Sequence, residues 1–263
     1  MIAFRFDIDT RRGLVDRVPP LLDLLDEHGI RATFFCVMGP EANLAEIVRL
    51  RFLAPREAKS PLNVGAKGGV AKLALAALAP RKVGIGNPDR LRDIVARGHE
   101  LQPHGWSHIQ WQRNLDAIDV REHLRRAIRT QETIVGAPVT GFASPGRSCN
   151  EDALRAFDEA GLVYGGDLDG EVPFVPAGHD HLQIPITRFE TIAQMRRRGL
   201  SDEQIVASYL DHVDERRQFT CLYEHPDDLD DAGLAIFGEV FRGVRERGLE
   251  PVTLSEVASA WRG

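Results

Sequence analysis

Ile2-Ala3-Phe4-Arg5-Phe6-Asp7-Ile8-Asp9-Thr10 opens the chain as an apolar run that ends on two carboxylates. A strand with one wet face alternates apolar and polar residues, whereas a near-continuous run is what a parallel strand covered on both faces shows. Successive side chains point to opposite faces, so Asp7 and Asp9 lie on the same one, at the C-terminal end of the strand. The next thirty residues complete a strand–helix–strand unit. Residues 18–28 carry Val18, Leu21, Leu22 and Leu25 at helical spacing, with Pro19 tolerated in the first turn and Gly29 just past the end. Residues 31–37 then read as a second strand.

The alternation continues. Helices are expected over 88–97, 119–135, 150–160, 202–217, 231–247 and 255–261, and strands over 99–103, 139–143, 162–164, 182–186, 219–223 and 251–253. Strands alternating with helices imply a mainly parallel sheet. No G-x-G-x-x-G or G-x-x-x-x-G-K-[ST] is present, which removes the dinucleotide and P-loop fingerprints. Asp7, Asp9, His104, Ser144 and His225 fall at or directly after the ends of expected strands, the positions that line one mouth of a barrel. The expected fold is α/β: a distorted (β/α) barrel of about seven strands, one domain over 1–263 with an insertion at about 49–86.

The 263 residues carry 33 Lys and Arg against 39 Asp and Glu, a net charge of −6, and 43% of them are hydrophobic. That composition is globular, and its acidic balance argues against a general nucleic-acid binder, which needs a broad basic footprint. Cys36, Cys149 and Cys221 form no C-x-x-C pair, as expected of reduced thiols in a reducing compartment. The first residues hold no basic-then-apolar leader, and no apolar run reaches the ~18 residues of a membrane span, so the expected location is the cytoplasm. One segment departs from the pattern. Between Arg49 and Lys82 eight basic residues stand against one acid, a net +7 that leaves −13 on the rest of the chain. Inside it runs Lys72-Leu73-Ala74-Leu75-Ala76-Ala77-Leu78-Ala79. A basic, partly apolar insertion on an acidic body suits an anionic membrane surface or a phosphate, and would hold the protein on the cytoplasmic face of the membrane. The plain alternative is a solvated loop.

His104-Gly105-Trp106-Ser107-His108 is the second chemical signal. At positions i and i+4 of a helical turn two imidazoles face the same way and can close on one ion. Two imidazoles with one carboxylate suit a catalytic divalent cation such as zinc, with positions left open for water and substrate. Of Asp7 and Asp9, one then serves as ligand and the other takes a proton from water; the spacing does not say which. H-x-x-x-H and D-x-D are each common in ordinary cores and surfaces. Their conjunction after two expected parallel strands carries the weight.

Other stretches extend the pattern: Arg5-Phe6-Asp7-Ile8-Asp9-Thr10-Arg11-Arg12-Gly13, His28-Gly29-Ile30-Arg31-Ala32-Thr33-Phe34-Phe35, Trp111-Gln112 after the histidine motif, Ser144-Pro145-Gly146, Gln183-Ile184-Pro185-Ile186-Thr187 and Tyr223-Glu224-His225. In this order they resemble the NodB-type polysaccharide deacetylases (carbohydrate esterase family 4), and within them most closely the branch of 4-deoxy-4-formamido-L-arabinose-phosphoundecaprenol deformylases. The resemblance implies that Asp9, His104 and His108 hold the metal, that Asp7 is the general base, and that His225 is the general acid for the leaving amine. It also points to Arg11, Trp106, Trp111, Ser144, Gly146, Arg147 and Asp167 as residues that contact substrate or order the site. The implied cofactor is one divalent ion, zinc first, with Mn, Co or Fe accepted by the same ligands. Many family members tether the base with an arginine two residues before the loop proline; Ala143 stands there, and Arg147 is the nearest replacement.

The activity implied is hydrolysis of an N-formyl or N-acetyl group from an amino sugar linked to a polyprenyl phosphate. Three alternatives compete: a deacetylase of a soluble or polymeric N-acetyl sugar, a non-catalytic binder of lipid-linked sugars, and a non-haem iron oxygenase, which also uses two histidines and a carboxylate. The oxygenase needs no second acid two residues before the ligand, and a binder needs none of the acid–base set. Formyl against acetyl turns on pocket volume, which the sequence does not reveal; nor does it reveal the oligomeric state.

Overall fold

The computed structural model describes residues 1–41, 80–216 and 218–262. Among them, β1 (Ile2–Ile8), β2 (Thr33–Cys36), β3 (Glu100–Pro103) and β7 (Thr220–Glu224) form a parallel sheet in the order β3-β2-β1-β7. Register sets Asp7 beside Phe35 and Phe6 beside Glu224. A second parallel sheet holds β4 (Gly141–Phe142), β5 (Tyr164–Gly165) and β6 (Leu182–Gln183) in that order.

β1 is buried along its whole length, as its apolar run requires. Phe4 and Phe6 pack outward against helix α8 (Asp231–Glu246), with Phe4 meeting Phe241 edge-on at 4.9 Å. Ala3 turns the other way, into a cluster with Phe35, Tyr164, Leu182 and Cys221 from both sheets. Arg5 and Asp7 share that inner side with it.

Two seams join the sheets into a ring, and neither is a regular ladder. Between β3 and β4, Gln102 Oε1 accepts the N–H groups of Thr140 and Gly141 at 3.2 and 3.1 Å. Between β6 and β7, Thr187 N–H donates to Cys221 O at 3.1 Å and a single bridge pairs Arg188 with Leu222. Strand order around the ring thus follows the chain, as in a distorted seven-stranded barrel, with the Gln102 side chain spanning one gap and a short backbone contact the other. Helix α9 (Leu254–Arg262) covers the N-terminal end: Leu254 and Val257 join the inner cluster, and Leu254 N–H donates to Thr33 Oγ1 at 2.8 Å. Among the described residues, Asp7, Asp9, His104 and His225 gather at or just past the C-terminal ends of the strands, where barrels of this kind build their sites.

The outer layer follows expectation closely. Helices α1 (Val18–Glu27), α2 (Pro88–Ala96), α4 (Val120–Val135), α5 (Glu151–Glu159), α7 (Asp202–Glu215), α8 and α9 lie where periodicity places them. Asp119, Asn150, Ser201 and Asp230 cap α4, α5, α7 and α8 through their side-chain oxygens. Two helices are new: α3 (His108–Asn114) and α6 (Ile192–Arg197), the latter started by a Thr191–Gln194 capping box. The strand expected at 251–253 is a single bridge from Pro251 to Ile2. Where the chain leaves for and returns from the insertion, Glu41 N–H donates to Arg81 O at 2.7 Å. Residues 42–79, which hold most of the basic segment and its apolar stretch, lie outside the described residues; Arg81 and Lys82 are exposed.

Candidate active site

The C-terminal ends of β1, β3 and β7 converge on one cluster. Asp9 Oδ1 lies 3.4 Å from His104 Nε2, and Asp9 Oδ2 lies 3.3 Å from His108 Nε2. The two histidines do not share a helical turn. His104 follows β3, Gly105 reverses the chain at φ +79°, and His108 is the first residue of α3. The continuation of β2 fixes that loop: the N–H groups of Met38 and Gly39 donate to Gly105 O and Trp106 O, each at 3.0 Å.

His104 Nδ1 sits 2.8 Å from Ala143 O; a carbonyl only accepts, so Nδ1 carries the proton and Nε2 presents its lone pair to Asp9. Burial pushes the His104 pKa down to about 4 against the pull of Asp7 and Asp9, so the ring is neutral at pH 7, the form that ligates metals. Burial acts on Asp9 in the opposite sense, but His108, His225 and His104 hold its carboxyl well below the usual range. Asp9 Oδ1 is buried without a hydrogen-bond partner. Three donor atoms within 4.8 Å of one another, one an orphan carboxylate oxygen and one a neutral imidazole nitrogen, fit a divalent cation.

Asp7 stands in different surroundings. Arg5 Nε and Nη2 donate to its two oxygens at 2.8 and 2.7 Å, and Arg5 Nη1 donates to Gly166 O at 2.5 Å. Both residues are buried, and the guanidinium lies 4.7 Å from the centre of the Phe35 ring. Burial alone would raise the Asp7 pKa; the charge of Arg5 overrides it and holds the carboxylate ionised. Asp7 is therefore tethered from its own strand, two residues back, and not from the loop where Arg147 was the nearest replacement. Gly166 makes room for this: a Cβ there would lie 2.6 Å from Arg5 Nη1.

His225 follows β7. Its Nε2 lies 2.7 Å from Tyr223 Oη and 3.5 Å from Asp9 Oδ2, and its Nδ1 lies 3.9 Å from Asp228 Oδ2. Burial lowers its pKa, yet Asp9, Asp7, Glu224 and Asp228 together raise it above the ordinary value. Glu224, buried and pushed up to about 7 by desolvation, accepts the N–H groups of Ile192 and His225 and so pins the end of β7.

Asp7, Asp9, His104, His108 and His225 line one cavity of about 240 Å³, with Gly146 and Arg147 on its wall. Gln112 and Tyr223 line it too, and neither carries an expected role. The other expected contacts do not line it. Trp111 is fully buried and donates its indole N–H to Ser148 O at 2.8 Å. Trp106 packs against Gly39 under the guanidinium of Arg126, 4.1 Å from its ring centre. The Arg11 N–H donates to Glu41 Oε1 at 2.5 Å. Asp167 Oδ1 accepts the Ser144 N–H at 2.5 Å, which anchors the loop that carries Gly146 and Arg147.

A carboxylate–bis-imidazole centre with an ion-paired second carboxylate, at the C-terminal mouth of a parallel α/β ring, defines the class of site. Residues 1–165 match the polysaccharide deacetylase family model. The chain belongs to the polysaccharide deacetylase family. It is 31% identical over 195 residues, 71% of its own length, to a probable 4-deoxy-4-formamido-L-arabinose-phosphoundecaprenol deformylase of Shewanella sediminis. That match spans 62% of the relative's length. Among solved structures, a polysaccharide deacetylase from Mycobacterium smegmatis superposes with a TM-score of 0.71 at 18% identity, covering 99% of this chain and 89% of that one. A protein of Bacillus anthracis described as a CE4 family pseudoenzyme shares the fold as well, with a TM-score of 0.57 at 14% identity over 98% of this chain and 65% of that one.

Proposed function

We propose that this protein is a metal-dependent hydrolase that removes an N-formyl or N-acetyl group from an amino sugar carried on a polyprenyl phosphate. The observation that carries the reading is the division between two carboxylates on one strand face. Asp7 is locked to Arg5 and stays ionised, while Asp9 is turned to two imidazoles and keeps an unpartnered oxygen. Neighbouring acids in such different surroundings take different roles.

Asp9, His104 and His108 would hold the cation. A divalent ion there supplies Lewis acidity to an amide carbonyl and acidifies the water beside it. Asp7 accepts the proton of the attacking water; Arg5, which occupies both its oxygens on one side, fixes the direction from which it does so. His225 protonates the nitrogen as the C–N bond breaks, because an amine leaves poorly without a proton. Tyr223 and the ring of carboxylates position His225 for this and favour its charged form. The products are a free amino sugar and formate or acetate.

The described residues enclose a cavity of about 240 Å³, on the scale of one sugar unit at the reacting end. The deformylase relative's name and the basic segment both favour a lipid-linked sugar met on the cytoplasmic face of the membrane. Among the described residues no helix is long and apolar enough to cross a membrane, so the contact proposed is peripheral. The fold also serves a pseudoenzyme, which keeps the binder reading in view; here Asp7, Asp9, His104, His108 and His225 all face one cavity, as chemistry needs and binding does not. Mass spectrometry of N-formyl and N-acetyl amino-sugar phosphates, free and polyprenyl-linked, incubated with metal-replete protein tests the reading. Loss of the acyl group from the lipid-linked form is expected. No deacylation of any member of the panel would favour the binder.

A further inference from the structure

Arg147 is the residue of the cavity wall whose placement the reaction does not explain. Among the described residues it is the one non-glycine with a positive φ, +56°. L-residues adopt that conformation rarely, and it persists where the surroundings impose it, commonly at functional sites. The preceding Gly146, also left-handed at φ +60°, packs so tightly that a Cβ there would lie 2.3 Å from Gln112 Nε2. The Arg147 guanidinium carbon lies 4.0 Å from the centre of the Phe189 ring, and its Nη2 pairs with Asp169.

The two partners differ in kind. Phe189 is 39% exposed and fixes the plane of the guanidinium from below. The Asp169 side chain is 79% exposed, and an ion pair that open to water contributes little and exchanges readily. Of the described side chains lining the cavity, Arg147 alone bears a permanent positive charge. An anionic group on a bound sugar therefore meets a fixed cationic partner on the cavity wall at Arg147.

We propose that Arg147 is a specificity-determining residue that reads a phosphate attached to the sugar. Its planar fork exchanges the Asp169 carboxylate for two phosphate oxygens, the bidentate geometry for which arginine is suited. This rests on the amino-sugar hydrolase reading but adds to it the residue that selects a phosphorylated substrate over a neutral one. A free glycosyl phosphate and a lipid phosphodiester present the same oxygens.

The test compares wild type with Arg147→Asn, which removes the charge while tolerating left-handed backbone, and with Arg147→Lys, which keeps the charge without the fork. Each metal-replete protein is assayed on one N-acyl amino sugar as methyl glycoside, glycosyl phosphate and farnesyl phosphodiester. Binding of the corresponding amino-sugar phosphate is measured separately by calorimetry. Arg147→Asn should raise KM for both phosphate forms about tenfold more than for the methyl glycoside, the weight of one charge-assisted hydrogen bond, with the effect on KM larger than on kcat. Arg147→Lys should fall between. Weakening of the diester alone assigns the lipid head group as the source. Arg147-dependent binding without turnover of any form supports the inference while defeating the hydrolase reading. Equal effects on the glycoside and the phosphates, or phosphate binding indifferent to Arg147, overturns it.

Discussion

Asp7 and Asp9 are the same side chain two residues apart on one strand face, and what surrounds each gives it a separate task. If Asp9 is the ligand and Asp7 the base, Asp7→Asn keeps the metal and loses about 10²–10⁴ in turnover, while His108→Ala loses metal and activity together. Metal content by mass spectrometry, read beside the rate, separates the two; metal loss in Asp7→Asn would reverse the assignment. Arg5 bears on the same division. A lysine at that position is a point charge that cannot serve two carboxylate oxygens and Gly166 O at once. Arg5→Lys should therefore lower kcat at least about tenfold with KM little changed, and lower the melting temperature, because a buried pair is left imperfectly matched. Unchanged kcat would show that Asp7 needs no tether. The period that sets Asp7 beside Asp9 also sets Arg5 on their face, a signal that the choice of Arg147 for the tether missed. Arg147 on Phe189 is not legible in the sequence, because a left-handed arginine has no sequence signature.

The site is held by connections between elements more than by the elements themselves. The two histidines flank the loop between β3 and α3, and that loop is bonded to Met38 and Gly39 beyond β2. A Cβ at Gly39 would lie 2.2 Å from Trp106 O, so the loop must shift to accept it. Gly39→Ala should weaken metal binding and cost about 1–3 kcal/mol of stability, as overpacking does. Competition with a chromophoric chelator measures the first, thermal melting the second; unaltered affinity would show that the loop has slack. Long helices announce themselves by period and cap, which is why α1, α4, α7 and α8 lie where the sequence sets them. The helices α3 and α6, of 7 and 6 residues, are too short to carry a period. The strands β4 and β5 are two residues each, and between them the Tyr164 ring covers Gly141, where a Cβ would lie 2.1 Å from its Cζ. Such interior packing is invisible in a linear pattern.

For the whole molecule, the apolar plug of α9 closes one end of the ring and the charged cluster occupies the other. Charge is segregated along the chain as well, with net +7 between Arg49 and Lys82 and −13 elsewhere. If the basic segment docks on anionic lipid at ~1 kcal/mol per engaged Lys or Arg, binding should be detectable at low salt and lost at high salt. Vesicle flotation of the wild type against a variant with Lys67→Glu, Lys72→Glu, Arg81→Glu and Lys82→Glu should show binding by the first alone. Equal binding by both, or none by either at low salt, would leave an amino-sugar hydrolase with no membrane role.

The hydrolase reading stands or falls on whether Asp9, His104 and His108 hold the one cation that amide hydrolysis requires. Protein stripped with chelator and titrated with Zn²⁺, with release of formate or acetate from an N-acyl amino-sugar phosphate followed at each addition, tests it most directly. No release is expected without metal, then a rise that saturates at one equivalent, with neither metal uptake nor release in His104→Ala. Full activity in rigorously metal-free protein would contradict it.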